Sequence, residues 1–357
     1  MSQGVERSKF GRASRSGAVT IVDVAARAGV SKSTVSNVLR GVAVTPELTR
    51  RVRRAIDELG FTPSVFAQGL AKQRTRSVGA LVPRIGNPFY ADMLSGMEGE
   101  SVRRGYRLLI ASAEDEASGE RRVLATLMHY RPAGCLIAGL RDSAAPDDLL
   151  ERKLPLVFLD THRVPPFSGA VIFDDNLGMR LAVRHLVELG HRRIASVIDN
   201  NFDPARDHRL SGYVSALEEA GLDFDPRLRI HDQPAVGSRE PAPRPAVVDA
   251  LTSLDDPATA VVCGDDLAAI GLIDSLEARG LSVPEDVSVV GFDDIAISGV
   301  GRIALTTVRQ PALQMGARAA KILIDHLEMD SPDTLELRRE VVEPEMIIRA
   351  TTAPPRS

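Results

Sequence analysis

The chain has 357 residues, 44% hydrophobic and 26% charged, which predicts two or three folded domains and excludes a disordered polymer. No apolar run reaches the roughly 18 residues of a membrane span, and the polar N-terminal segment lacks the apolar stretch of a secretory signal, so we expect a cytoplasmic protein. The net charge of −4 is unevenly distributed: residues 1–77 hold 14 Lys and Arg against 5 Asp and Glu, whereas the other 280 residues carry −13. A basic N-terminal segment in an otherwise acidic chain indicates that only residues 1–77 bind a polyanion.

The first predicted elements are an arm and a capped helix. Residues 1–18 are small, polar and basic, and predict a disordered arm. Thr20 and Asp23 have the spacing of a capping box, which predicts a helix over Ile21–Ala28. After a glycine turn, Ser31 is placed to cap a second helix.

A third helix is predicted from Pro46, a favourable first helical residue, to just before Gly60. Two short helices joined by a glycine turn and braced by a third predict a helix-turn-helix domain over residues 19–62. Facing away from the apolar side of the second helix are Lys32, Ser33, Ser36 and Asn37. Such side chains suit base edges and phosphates in a major groove, and the basic N-terminal segment favours this interpretation over a plain solvated face.

These segments resemble the lac-repressor (LacI/GalR) family of bacterial regulators. The resemblance covers about 65 contiguous residues, from VTIVDVAARAGVSKSTVSNVLRG (19–41) through VTPELTRRVRRAIDELGFTPSVFAQGLAKQRTRSVGALVP (44–83). It continues in GNPFYADMLSGME, HLVELGHRRIA, RLSGY, DDLAAIGL, SVVGFDD and LTTVRQP. It implies a DNA reader, a hinge helix and a two-lobed effector-binding core like that of periplasmic binding proteins.

The resemblance also implies roles for individual residues of the reader. Family positions that match Lys32, Ser33 and Asn37 contact bases. The family positions that match Thr20, Ser31, Thr34 and Ser36 mostly contact and orient the phosphates.

A linker over residues 63–77 follows the reader. In the family, the segment matching Ser64–Ala71 forms a hinge helix on DNA, and the leucine matching Leu70 inserts into the minor groove. This segment is shorter than the ~12–15 residues of a stable isolated helix. Gly69 costs a further ~1 kcal/mol relative to alanine. We therefore expect the hinge to be disordered without DNA and helical on it.

From Val78 onward, short β-branched runs alternate with helical stretches, which predicts an α/β core of parallel sheets with helices on both faces. The runs are too many for one sheet, so two lobes are expected, with a proline-rich loop over 231–245. The helix Ala312–His326 should return to the first lobe. Cys135 and Cys263 lie in apolar runs and should be buried, reduced thiols. The expected boundaries are 78–173 with 311–338 for the first lobe and 174–310 with 339–357 for the second.

Polar residues follow several of these runs, where open parallel sheets bind ligands. They are Asn87, Asp160, Asp199, Asp265, Asp266, Asp293 and Asp294. Oxygen acceptors around a cleft suit a polyhydroxylated effector, such as a sugar or nucleoside. We interpret Asp199, Asp266 and Asp294 as helix caps. The resemblance assigns Asp160, Asp265 and Asp293 to effector contact.

Further effector residues come from the same resemblance. Arg209 matches the arginine that clamps ligand hydroxyls or carboxylates, with a surface salt bridge as the alternative. Gln310 matches a position at the lobe crossover near the pocket. Phe89 and Tyr90 could supply an apolar wall for a sugar, or pack in the core. Asp265, where many relatives have asparagine, disfavours an anionic effector.

No glycine-rich phosphate loop, zinc-ligand spacing or nucleophile elbow is present, so neither an enzyme nor a bound cofactor or metal is predicted. We expect a repressor that binds a pseudo-palindromic operator as a homodimer. The last residues, IIRATTAPPRS, contain no heptad repeat, which favours a dimer over a tail-linked tetramer. The alternatives are a transcriptional activator and a solute-binding protein with the same core.

Overall fold

The computed structural model describes residues 19–39, 42–61, 75–113, 117–139, 149, 154–162, 164–166, 168–198, 204–231, 244–329 and 338–356. The chain divides into two compact units, residues 1–75 and residues 76–357. The expected arm over 1–18 and the hinge segment with Gly69 and Leu70 lie outside the described residues, as does Asp199.

The first unit contains three helices, α1 (Ile21–Ala28), α2 (Lys32–Leu39) and α3 (Pro46–Leu59), with the starts and ends that the sequence predicts. Its core consists of small and β-branched side chains: Val24, Ala25, Ala28, Val35, Val52 and Ala55. The predicted helix-turn-helix is therefore confirmed.

The turn between α1 and α2 is closed by a glycine and an arginine. Gly29 adopts φ +63°, in the left-handed region where glycine has no steric cost. The Arg51 guanidinium of α3 donates to the Ala28 carbonyl from Nε at 3.1 Å and from a terminal nitrogen at 2.7 Å. Arg51 thereby satisfies a carbonyl at the end of α1 that the helix leaves without a partner.

The second unit is built on two sheets of six strands each. In the first sheet every neighbouring pair is parallel, in the order β11-β5-β4-β3-β1-β2. Its strands are β1 (Ser77–Val82), β2 (Arg107–Ser112), β3 (Cys135–Ala138), β4 (Leu156–Leu159), β5 (Gly169–Phe173) and β11 (Arg339–Val342).

The second sheet has the order β12-β10-β9-β8-β6-β7 and is parallel except for β12, which runs antiparallel to β10. Its strands are β6 (Ile194–Val197), β7 (Arg229–Ile230), β8 (Ala260–Cys263), β9 (Ser288–Asp293), β10 (Thr306–Arg309) and β12 (Glu345–Ile347). Central strands such as β3, β6 and β8 are buried along their whole length, as expected where helices cover both faces.

Helices alternate with the strands in chain order. They are α4 (Pro88–Arg103), α5 (Ala117–His129), α6 (Asp175–Glu188), α7 (Pro204–Glu219), α8 (Pro245–Thr252), α9 (Asp266–Ala278) and α10 (Ala312–Leu327). Helix α10 packs against α4 and the first sheet, as the sequence predicts. We call the first sheet with α4, α5 and α10 the first lobe, and the second sheet with α6 to α9 the second lobe.

One expected boundary is wrong. The sequence analysis assigns residues from 339 onward to the second lobe, but β11 pairs with β5 and extends the first sheet. After β11, the chain returns to the second sheet at β12. Strand β1 also begins at Ser77, inside the expected linker. Strands β11 and β12 have only four and three residues, so their sequences do not show which sheet each one joins. The strand with which each one pairs determines its sheet.

Cys135 and Cys263 are buried and free, as expected. Burial raises the pKa of the Cys135 thiol to about 12. Within the described residues, every helix is too short or too polar to cross a bilayer.

Candidate functional site

The predicted DNA-contact residues lie on and before α2 in the first unit. Val35 anchors the helix in the core and is fully buried, whereas Lys32 and Ser33 are exposed. Ser36 and Asn37 are half-buried. The exposed side of α2 therefore carries an ammonium group and hydroxyls, which can donate to phosphates and base edges.

Hydroxyl groups are clustered at the start of α2. Ser31 Oγ accepts from the Thr34 amide at 3.1 Å and caps the helix, as predicted. It also lies 2.7 Å from Ser33 Oγ and 2.8 Å from Thr34 Oγ1. A helix N-terminus with donors arranged in this way is suited to a phosphate group.

Thr20 has a local role at the start of α1. Its amide and its hydroxyl donate to Asp23 Oδ2 at 2.8 Å and 2.7 Å. The hydroxyl bond is the main cause of the lowered pKa of Asp23. The capping box expected here is present, and it fixes Thr20 at the start of α1.

The residues predicted to contact an effector are grouped around Arg209, which lies on α7 in the second unit. Arg209 is only 5% exposed, so the alternative of a surface salt bridge is wrong. Its Nε donates to Asp175 Oδ1 at 2.7 Å, and its guanidinium carbon lies 4.1 Å from the Phe292 ring centroid. The plane of the guanidinium is thus held by an ion pair and an aromatic face.

Carboxylates of both lobes stabilise the positive charge of Arg209. Burial alone lowers the pKa of Arg209, but the charges of Asp175, Asp293 and Asp160 raise it above its ordinary value. Asp160 follows β4 in the first lobe, whereas Asp293 ends β9 in the second. The arginine is therefore cationic and lies where the two lobes meet.

The first lobe contributes Asp160, Tyr90 and Phe89, and all three are buried. The Tyr90 hydroxyl donates to Asp160 Oδ2 at 2.7 Å. The Phe89 and Tyr90 rings pack edge to face with their centroids 5.2 Å apart. Asp160 has φ +49°, an uncommon conformation for a residue other than glycine, and such backbone strain clusters at functional sites.

The second lobe and the crossover contribute Asp293 and Gln310. Asp293 has φ +116°, and its Oδ1 accepts from Gln310 Nε2 at 2.7 Å. Burial raises the pKa of Asp293 well above its ordinary value, and the nearby Arg209 opposes that shift. Gln310 Oε1 is buried and makes no hydrogen bond to the described residues. Phe89, Asp293 and Gln310 line one cavity of about 170 Å³.

Two of the predicted contact residues serve as helix caps. Asn87 Oδ1 accepts from the Phe89 amide at 3.0 Å at the start of α4. Asp265 Oδ1 accepts from the Ala268 amide at 2.7 Å at the start of α9. Both remain half-buried.

The predicted capping roles of Asp266 and Asp294 are wrong. Asp266 is fully buried and accepts from the Ile295 amide at 2.9 Å and from the Ser298 hydroxyl at 2.6 Å, which fixes the loop after β9. Burial raises the pKa of Asp266 to about 7. Asp294 instead accepts from two guanidinium groups, those of Arg309 and Arg349, at 2.7 Å and 2.6 Å. Asp266 is the first residue of α9, but Asp265 caps that helix and the Asp266 carboxylate accepts from the loop instead.

The sequence analysis missed three residues of this cleft: Asp175, His162 and His208. Asp175 follows β5, so the rule that selected the other strand-end carboxylates could have selected it. His162 Nε2 lies 2.9 Å from Asp175 Oδ2, and the His162 and His208 rings are stacked. Nothing in the sequence signals that stack, because packing of the lobes creates it. In the described part of the chain, no three His, Cys, Asp or Glu side chains are arranged to hold a metal ion.

Two family descriptions match parts of the chain, and several known proteins are similar to it over most of their length. Residues 20–64 match the family described as bacterial regulatory proteins, lacI family, and residues 183–352 match the periplasmic binding protein-like domain. The HTH-type transcriptional repressor PurR of Aliivibrio salmonicida is 32% identical over 312 residues, which cover 87% of this chain and 92% of that protein.

Two further similarities also extend over most of the chain. The ribose operon repressor of Haemophilus influenzae is 31% identical over 333 residues, covering 92% of this chain and 97% of that protein. The solved structure of a transcriptional regulator CelR–cellobiose complex is 31% identical, covers 93% of this chain and 99% of that chain, and superposes with a TM-score of 0.69.

Proposed function

The chain belongs to the lacI family of bacterial regulatory proteins and is a DNA-binding transcriptional regulator, and we propose that it is a repressor that binds a pseudo-palindromic operator as a homodimer. A small polar effector in the cleft of the second unit changes its affinity for that operator. A regulator of bacterial operators works where the DNA is, so we also propose a cytoplasmic location.

The exposed side of α2 supports the proposed recognition of DNA. Lys32, Ser33 and Asn37 are proposed to contact bases, and the hydroxyls of Thr20, Ser31, Thr34 and Ser36 to position phosphates. The hydroxyls of Ser31 and Thr34 support the phosphate contacts, because both lie at the start of α2, where helix amides also face outward. The proposed insertion of Leu70 into the minor groove rests on the family resemblance alone.

The convergence of charge on Arg209 carries the effector proposal. Arg209 is buried between Asp160 of the first lobe and Asp175 and Asp293 of the second. A ligand that bridges these groups contacts both lobes, so its binding favours one lobe arrangement over another. Asn87, Phe89, Tyr90, Asp265 and Gln310 are proposed as further effector contacts around this centre.

The balance of charge favours an uncharged, polyhydroxylated effector. Carboxylates outnumber the one described guanidinium at this centre, and Asp175 already pairs with that guanidinium. A carboxylate or phosphate ligand would meet repulsion, whereas sugar hydroxyls can donate to the carboxylates and accept from Arg209. The cellobiose complex of CelR and the ribose operon repressor make sugars the first class to test.

The test compares the parent with Arg209→Gln by calorimetry against a panel that includes ribose, cellobiose and nucleosides. We expect at least one member to bind the parent and to change its affinity for operator DNA, by a coupling of ~1–3 kcal/mol. Arg209→Gln should lose this response and retain operator binding.

Arg180→Gln is the matched control, because Arg180 forms an exposed ion pair with Glu219 on the same lobe. It should respond like the parent. An Arg209→Gln variant that still binds and responds to the same sugar would contradict the proposed site.

A transcriptional activator is the remaining alternative, since the sign of regulation depends on where the operator lies relative to the promoter. A solute-binding protein is disfavoured because the chain carries the reader helices α1 to α3. Footprinting would identify an activator if it showed the protein bound upstream of the promoter and if that binding raised transcription.

A further inference from the structure

A pair of stacked histidines joins the two lobes of the second unit. His162 follows β4 in the first lobe, and His208 lies on α7 in the second. Their ring centroids are 3.7 Å apart, with an angle of 26° between the planes. Because the two rings come from opposite lobes, any movement of the lobes at this point must change the stack.

His162 also reaches Arg209 through a shared carboxylate. Asp175 Oδ2 lies 2.9 Å from His162 Nε2, and Asp175 Oδ1 accepts from Arg209 Nε at 2.7 Å. The Asp175 side chain is only 2% exposed, so little water competes for its oxygens. His162 of the first lobe therefore contacts one oxygen of Asp175, and the other oxygen of Asp175 orients Arg209.

Several charged groups face this pair and set the pKa of His208. Among the described residues they are Asp174 and Asp175 at the start of α6, and Asp207 and Arg209 on α7. Two imidazolium rings at 3.7 Å would repel each other. Burial lowers the pKa of His208, the charge of His162 lowers it further, and the three aspartates oppose both effects.

We propose that His162 is a positioning residue for Arg209, which it orients across the cleft through Asp175. The His162 ring donates to one oxygen of Asp175, and the other oxygen fixes the guanidinium. The stack on His208 holds the His162 ring in place for this contact. The inference rests on the proposed function in one respect, the assignment of Arg209 to the effector.

The first test measures the titration of His208 in the full-length protein, by nuclear magnetic resonance of selectively labelled histidines. In the parent, His208 should titrate below an ordinary histidine. His162→Gln keeps a donor for Asp175 but cannot take up a proton, so the pKa of His208 should rise in that variant. His129→Gln, which removes an exposed histidine at the end of α5, should leave it unchanged.

The second test follows hydrogen exchange at Arg209 Nε, which reports how firmly the guanidinium is held. At about pH 7.5, His162→Ala should speed this exchange by about tenfold, equivalent to ~1.4 kcal/mol. His162→Gln, which keeps a donor for Asp175, should restore the slow exchange.

Both tests use the protein without effector, so they can fail independently of the sugar screen. An unchanged His208 titration in His162→Gln would refute the coupled pair. Equal Arg209 exchange in His162→Ala and the parent would refute the positioning role.

Discussion

At the residue scale, the proposed effector site contains a buried ion pair. Arg209 and Asp175 have side chains only 6% and 2% exposed. Taking both charges out of water costs several kcal/mol per ion, so such a pair is weak evidence for stability. Removing one partner leaves the other charge buried without its counter-ion. The geometry is thus better explained by ligand recognition than by stability of the core.

Base recognition by α2 is a prediction at the same scale. We expect Lys32→Ala and Asn37→Ala each to cost ~1–3 kcal/mol of binding to the preferred operator, and to relax the preference at particular base positions. Selection from a randomised operator library measures both effects.

Lys321→Ala is the control for α2, because Lys321 pairs with Asp325 on the exposed side of α10 in the other unit. It should leave selection unchanged. A uniform loss of affinity in the α2 variants, without a change in the selected sequence, would show that these residues contact only the phosphates.

At the element scale, the first lobe depends on the close approach of α4 and α10. A Cβ atom at Gly96 of α4 would clash with the Leu313 carbonyl, and one at Gly316 of α10 would clash with the Met93 carbonyl. The two backbones therefore pack directly on each other, and neither clash can be relieved by rotating a side chain.

We expect Gly96→Ala to lower the free energy of unfolding by about 1–3 kcal/mol, because the helices must move apart. Gly99→Ala is a matched control on the same helix, where a Cβ would meet nothing within 4 Å. It should raise stability by up to ~1 kcal/mol, the difference in helix propensity. Urea denaturation of both variants measures the contrast, and equal effects would argue against a tight contact at Gly96.

At the scale of the whole molecule, the charge distribution and the proposed operator symmetry imply an assembly of two chains. The excess of positive charge lies within residues 1–77, which favours this segment as the part that binds DNA, whereas the acidic remainder would be repelled by it. A reader of half-sites needs a two-fold partner to bind a pseudo-palindrome.

Light scattering of the full-length protein should therefore give twice the 38.4 kDa mass of the chain. The value should persist on dilution to the concentrations used for operator binding. A mass of four chains would contradict the proposed dimer.

Local chemistry explains what the sequence by itself determined. The starts of α1, α2 and α3 follow from Thr20, Ser31 and Pro46, and the ends of α1 and α3 follow from Gly29 and Gly60. The buried strands follow from short apolar runs, and strand-end carboxylates such as Asp160 and Asp293 follow from the general position of ligand sites in parallel sheets. These signals depend on residues close together in the chain, so they can be recognised in the sequence alone.

Only the tertiary structure decided how distant segments share the cleft. Asp265 and Asp266 are adjacent acids, yet Asp265 caps α9 while Asp266 is buried against the loop at Ile295. The partnership of His162 with Asp175 and His208 requires β4, α6 and α7 to meet, and β11 joins the first sheet because β5 offers it a free edge. Each of these outcomes depends on which elements pack side by side, and that is decided by burial of the whole core rather than by the pattern within any one segment.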